Sequence, residues 1–203
     1  MTNAPTLSEF KKAARDAFGY LGREFGFREV EPPATQLEVN PFLLWFVNST
    51  TLVQVQGINW GFAAQVILGP ADAGGDWHGT LPLWSIIKLR RPELYVESPS
   101  SPGQLGHIRD YAYALREVAS DVLRGDFGVF SSARAVVEAE AIRQRSQEQS
   151  TMRDRDHRAA VTAAGVAFRA GDFARTVQLL SPHIELLTPA ERAKLEYARA
   201  HLG

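Results

Sequence analysis

Between Phe42 and Leu68 three strand candidates follow one another with almost no chain between them: Phe42–Asn48, Thr51–Gln56 and Gly61–Leu68. The links read "NST" and "GINW". A parallel return needs a crossover of a dozen or more residues, so links this short admit only antiparallel neighbours. "TLVQVQ" alternates, with Val53 and Val55 on one side and Gln54 and Gln56 on the other. Phe62, Ala64, Val66 and Leu68 line one face of the next strand. "FLLWFV" is apolar at every position, the pattern of a strand covered on both faces, and is expected inside the sheet. A fourth candidate, Gln36–Val39, follows the break at Pro32-Pro33. "TLPLWSIIKLRRPEL" reads either as a strand or as a short helix, with Trp84, Ile87 and Arg91 at helical spacing.

Two helical patterns flank this run. In "TLSEFKKAARDAFGYLGREFGF", Leu7, Phe10, Ala14, Phe18, Leu21 and Phe25 form one apolar stripe. Thr6 and Glu9 fit a capping box, and Gly26 a left-handed stop. In "GQLGHIRDYAYALREVASDVLRGD" the stripe is Leu105, Ile108, Ala112, Leu115, Ala119 and Val122. Two single-striped helices suit side-by-side packing on one sheet face. The expected fold class is therefore α+β: an antiparallel sheet of four to five strands, two long helices on one face, then a small all-α C-terminal region. From Val129 to Ala164 there is no Gly or Pro, and "RQRSQEQSTMRDRDHR" is almost wholly polar. This stretch is either an exposed helix held by charge pairs or a hinge. The chain is therefore expected to divide into an α+β domain over 1–142, a polar linker over 143–158 and a helical region over 159–203.

The last region, "AFRAGDFARTVQLL" onward, resembles a tetratricopeptide-type helical hairpin. Gly171-Asp172 supplies the turn, and Phe168 and Phe173 fill the space between the helices. Thr176 and His183 stand where that family prefers alanine, and Pro182 interrupts the second helix. The expectation is one hairpin plus a capping helix, started by Thr188, Pro189 and Glu191.

Composition limits the chemistry. There is no cysteine, which excludes disulfides, thiol catalysis and cysteine zinc sites. The first residues carry no apolar h-region, so no targeting leader is expected, and "PFLLWFV" is far shorter than the roughly 20 residues of a membrane span. The expected location is cytoplasmic. From Glu29 to Ile87 no Lys or Arg occurs, against five acids: Glu29, Glu31, Glu38, Asp72 and Asp76. Such a region repels phosphate backbones, so no nucleic-acid partner is expected, and it attracts basic proteins.

Catalytic signatures are missing. No phosphate loop, H-E-x-x-H or G-x-S-x-G occurs, and none of His78, His107, His157, His183 and His201 stand four apart. In "GGDWHG", Asp76 could orient His78 as a base, but no nucleophile stands beside them. The same loop reads better as recognition, an exposed Trp77 flanked by acids. Trp45, Trp60 and Trp84 are expected in the core or on a sheet face. No catalytic residue, no metal ligand and no cofactor is expected. The expected partner-binding residues are Glu38, Asp72, Asp76, Trp77 and His78.

A leading helix ending in "LGREFGF", a run of antiparallel strands, then "LPLWSIIKLRRPE" and a late helix ending in "DVLRGDFGVF" together resemble a group of small bacterial proteins. Many of these are encoded beside polymorphic toxins and taken to be immunity proteins. The resemblance covers roughly residues 7–130. It implies a non-enzymatic inhibitor that binds a cognate toxin or other protein, with no membrane partner. It sets no oligomeric state. The alternatives are a small-molecule-binding protein or hydrolase using the open sheet face, and an adaptor binding through its helical tail.

Overall fold

The computed structural model describes residues 5–58, 63–73, 79–95 and 103–202. It divides into two compact units, Met1–Ala139 and Glu140–Gly203. The fold is α+β with a five-stranded antiparallel sheet in the order β1-β2-β3-β4-β5. The strands are β1 (Arg28–Val30), β2 (Leu43–Val47), β3 (Thr51–Ile58), β4 (Ala63–Pro70) and β5 (Leu81–Pro82). Every neighbouring pair is also consecutive in the chain, as the short links require.

The first helical stripe is built as two pieces, α1 (Leu7–Phe18) and α2 (Tyr20–Phe25), parted at Gly19. Thr6 and Glu9 form the expected capping box, and Gly26 closes α2 with a φ of 70°. The strand expected over Gln36–Val39 is instead a helix, α3 (Ala34–Val39). Pro33 ends the extended chain, and its carbonyl accepts from Gln36 N at 2.9 Å and Leu37 N at 3.2 Å, closing a helical turn. The sheet position that it would have filled belongs to β1, which pairs Glu29 with Phe46 and Val30 with Trp45. The ambiguous stretch after it supplies both readings: the two residues of β5, then the helix α4 (Leu83–Arg90).

One sheet face carries Leu44, Phe46, Val53, Val55, Ala64, Val66 and Leu68. It packs against Phe10, Ala14 and Phe18 of α1 and against Ile108, Ala112 and Leu115 of the long helix α5 (Gln104–Val118). Each large apolar side chain buried here contributes about 1.5–3 kcal/mol, so this layer dominates the unit's stability. Tyr20 Oη donates to Ala112 O at 3.1 Å and ties α2 to α5. The other face forms a smaller cluster of Leu43, Trp45 and Leu52, covered by Leu37 of α3.

A helix of 40 residues, α6 (Phe130–Arg169), follows. Its first turns belong to the sheet unit, where Ala133 is fully buried. The polar stretch over 143–158 is helical and largely exposed, with Arg143 bonded to Glu140 at 2.9 Å and Gln144 to Glu148 at 3.1 Å. Within the second unit, the end of α6 turns at Gly171, φ 76°, into α7 (Phe173–Leu180), and α8 (Pro189–Ala200) follows. Asp172 caps α7 through Arg175 N at 2.9 Å. Thr188 and Glu191 form a second capping box. Ala164, Leu180, Leu187 and Leu195 make this unit's core. No described helix is long and apolar enough to cross a membrane.

Candidate functional site: a neutral cleft on the second sheet face

The sheet's pleat decides what lies on the second face. Side chains alternate along a strand, so Gln54 and Gln56 of β3 point away from the core that Val53 and Val55 enter. The register sets Trp45 opposite Gln54, Leu43 opposite Gln56, Gln65 opposite Gln56 and Ile67 opposite Gln54. The helix α3 stands over this surface. Asn40 holds its C-terminal end by donating Nδ2 to Gly57 O and accepting from Phe42 N, each at 3.0 Å.

Between helix and sheet lies a cleft of about 230 Å³. Thr35 and Val39 form one wall, and Leu43, Gln54, Gln56 and Ile67 the floor. Among the described residues no charged side chain lines it. Val39 stands on the rim with 86% of its surface exposed, whereas Gln54 is 3% exposed and Trp45 6%. The three glutamines form a one-way relay. Gln65 Nε2 donates to Gln56 Oε1 at 2.9 Å, and Gln56 Nε2 donates to Gln54 Oε1 at 3.0 Å. Gln54 Nε2 ends the relay with no acceptor among the described residues. Trp45 Nε1, across the ladder from it, is buried and also has no acceptor. One donor without a protein partner, on a floor residue only 3% exposed, is what this arrangement offers chemically.

The residues expected from the sequence are distributed differently. Glu38 is exposed on α3, close to Asn40 and the Gly57 end of β3. Asp72 is exposed in a 3-10 turn after β4, where Ala71 N bonds to Thr50 O beside the opposite end of β3. Strand ends that far apart are separated by roughly 20 Å, so the two carboxylates do not share a site. Asp76, Trp77 and His78 lie outside the described residues, as does Trp60. Glu29 is not free charge either: Arg15 holds it with two bonds of 2.8 and 2.7 Å. That hydrogen-bonded guanidinium keeps the Glu29 carboxyl below its usual range.

Two further clusters stand outside the cleft. At the start of α5, Gln104 Nε2 donates to Ala63 O at 3.0 Å, and His107 Nδ1 accepts from Ala64 N at 3.3 Å. Burial pushes the His107 pKa down, opposed by Asp110. In the second unit, Phe168, Phe173, Tyr197 and His201 stack into one aromatic cluster, with Tyr197 and His201 4.0 Å apart and Tyr197 50% exposed. His157 and His183, distant in sequence, have ring centroids 5.6 Å apart there. Among the described residues no group of three or more His, Cys, Asp or Glu is arranged to hold a metal ion.

Set against protein-family models, curated proteins and solved structures, the chain matches none of them significantly.

The cleft residues were not singled out from the sequence, though a signal for them existed. "FLLWFV" reads as covered on both faces, so a glutamine paired with Trp45 has to share that cover.

Proposed function

We propose that this chain is a protein-binding module whose contact surface is the second sheet face with α3 as its rim. The observation that carries the reading is the pairing of an exposed Val39 with a recessed floor, uncharged among the described residues, that presents the unpaired donor Gln54 Nε2. A donor covered without a partner costs about 1–3 kcal/mol, so a partner that covers this floor has to supply an acceptor. The resemblance to immunity proteins supports a more specific form: a bacterial inhibitor that neutralises a cognate toxin by covering its working surface.

The test is co-purification with the product of the adjacent open reading frame. Wild type is expected to retain it, and Val39→Asp to lose it with an unchanged thermal transition. Retention by Val39→Asp rejects this face. Asp76→Ala and Trp77→Ala in the same assay decide whether the loop favoured by the sequence also contributes.

A second reading places the contact on the helical tail. The exposed aromatic cluster around Tyr197 favours it, since Tyr is enriched at binding hot spots. Loss of the partner from Tyr197→Glu, with retention by Val39→Asp, supports the tail instead.

A further inference from the structure

We infer that the cleft is a subsite for a single uncharged carboxamide side chain, asparagine or glutamine, presented by the partner. This rests on the second sheet face being the contact surface.

Size excludes most other occupants. Pockets for whole small ligands and cofactors run to roughly 300–1,000 Å³, and this cleft holds about 230 Å³. It takes one side chain. Charge excludes others. A carboxylate would be buried with no cation among the described lining residues, and an unpaired buried charge is strongly disfavoured. An ammonium or guanidinium would bring donors toward Gln54 Nε2, itself a donor. A purely apolar group would leave that donor buried and unpaired.

A carboxamide answers all three objections. Its oxygen accepts from Gln54 Nε2 and extends the relay Gln65 to Gln56 to Gln54 by one rung, in the direction the relay already runs. Its own amino group finds hydroxyl acceptors on the walls, which carry Thr35 and Thr80. The apolar stem of the incoming side chain packs on Leu43 and Ile67. Aligned amide dipoles strengthen one another along such a chain.

The experiment uses the full-length, 15N-labelled protein without any partner. N-acetylglutamine amide is titrated in, and N-acetylglutamic acid amide serves as its charged near-isostere. With the first, the Gln54 side-chain amide and the indole of its cross-strand neighbour Trp45 are expected to shift saturably, while the indole of Trp84 on α4 stays fixed. The second is expected to shift neither. Gln54→Glu keeps the acceptor that Gln56 needs but replaces the free donor with a carboxylate, and is expected to weaken the response at least about tenfold. No shift at either reporter, or an equal response to the carboxylate analogue, overturns the inference. Should Gln54→Glu fail to fold, the comparison of the two ligands on wild type decides alone. Because no partner is present, failure here leaves the Val39→Asp co-purification result independent, and the two ideas fail separately.

Discussion

Gly57 and Gln104 meet with no room for a methyl group between them: a Cβ on Gly57 would lie 2.3 Å from Gln104 Nε2. The same Cβ would lie 2.8 Å from Phe42 Cβ, which cannot swing aside as a side-chain tip can. Gln104 uses this closeness to reach Ala63 O at 3.0 Å, pinning the start of α5 to the start of β4. Gly57→Ala is therefore expected to destabilise the protein by about 1–3 kcal/mol. Gln104→Ala in the same background is expected to restore only part of that, because Phe42 remains. Urea unfolding of the single and double variants measures both, and full restoration would show that Phe42 yields.

Asn48 joins three elements at the β2–β3 turn. Its Nδ2 donates to Phe25 O at 3.1 Å and Leu123 O at 3.0 Å, while Oδ1 accepts from Thr50 N at 3.0 Å and Thr51 N at 2.7 Å. Asn48→Ala leaves both carbonyls and both turn amides without this partner. The expected loss is about 2–3 kcal/mol, read from chemical denaturation. A loss near zero would mean that water replaces the side chain.

His107 sets a pH dependence. Its Nδ1 accepts from Ala64 N, so only the neutral ring fits. Burial lowers its pKa below the ordinary 6.5. Between that lowered value and 6.5 the unfolded chain binds more protons than the folded one, so stability rises with pH. The contribution is complete above pH 6.5, is lost as pH falls through the window beneath it, and levels off below the folded-state pKa. His107→Gln keeps an acceptor that does not titrate and is expected to flatten this part of the profile. Glu29 and Asp121, held low by Arg15 and Arg90, act in a separate window at and below the ordinary carboxylate range. Thermal melts across pH 5–8 test the sign. Stability that rose on acidification below 6.5 would contradict it.

The sheet was legible because loop length is a hard constraint: "NST" cannot carry a parallel crossover, whatever the rest of the chain does. The helix starts were legible for a similarly local reason, since Thr6 with Glu9 and Thr188 with Glu191 satisfy amides three residues away. Gln36–Val39 failed because it spans little more than one helical turn. Over four residues, Leu37 and Val39 fit a period of two as well as any longer period. That single error hid the site. Gln54 and Gln56 were correctly placed on the polar side of β3, but with α3 read as a strand nothing covered them, and an uncovered glutamine is only a solvated one. The linear count of acids misled for a different reason. Arg15 lies outside the cation-free run yet folds onto Glu29.

The most direct test of the account is the affinity of the purified chain for the product of the adjacent open reading frame, measured by titration calorimetry for wild type and Val39→Asp at low and high salt. An uncharged cleft makes recognition nearly insensitive to screening. Wild-type affinity is expected to change less than about threefold between roughly 0.1 and 0.5 M salt, and Val39→Asp to bind at least about tenfold more weakly. Equal binding by the two proteins, or wild-type affinity that collapses as salt rises, would contradict it.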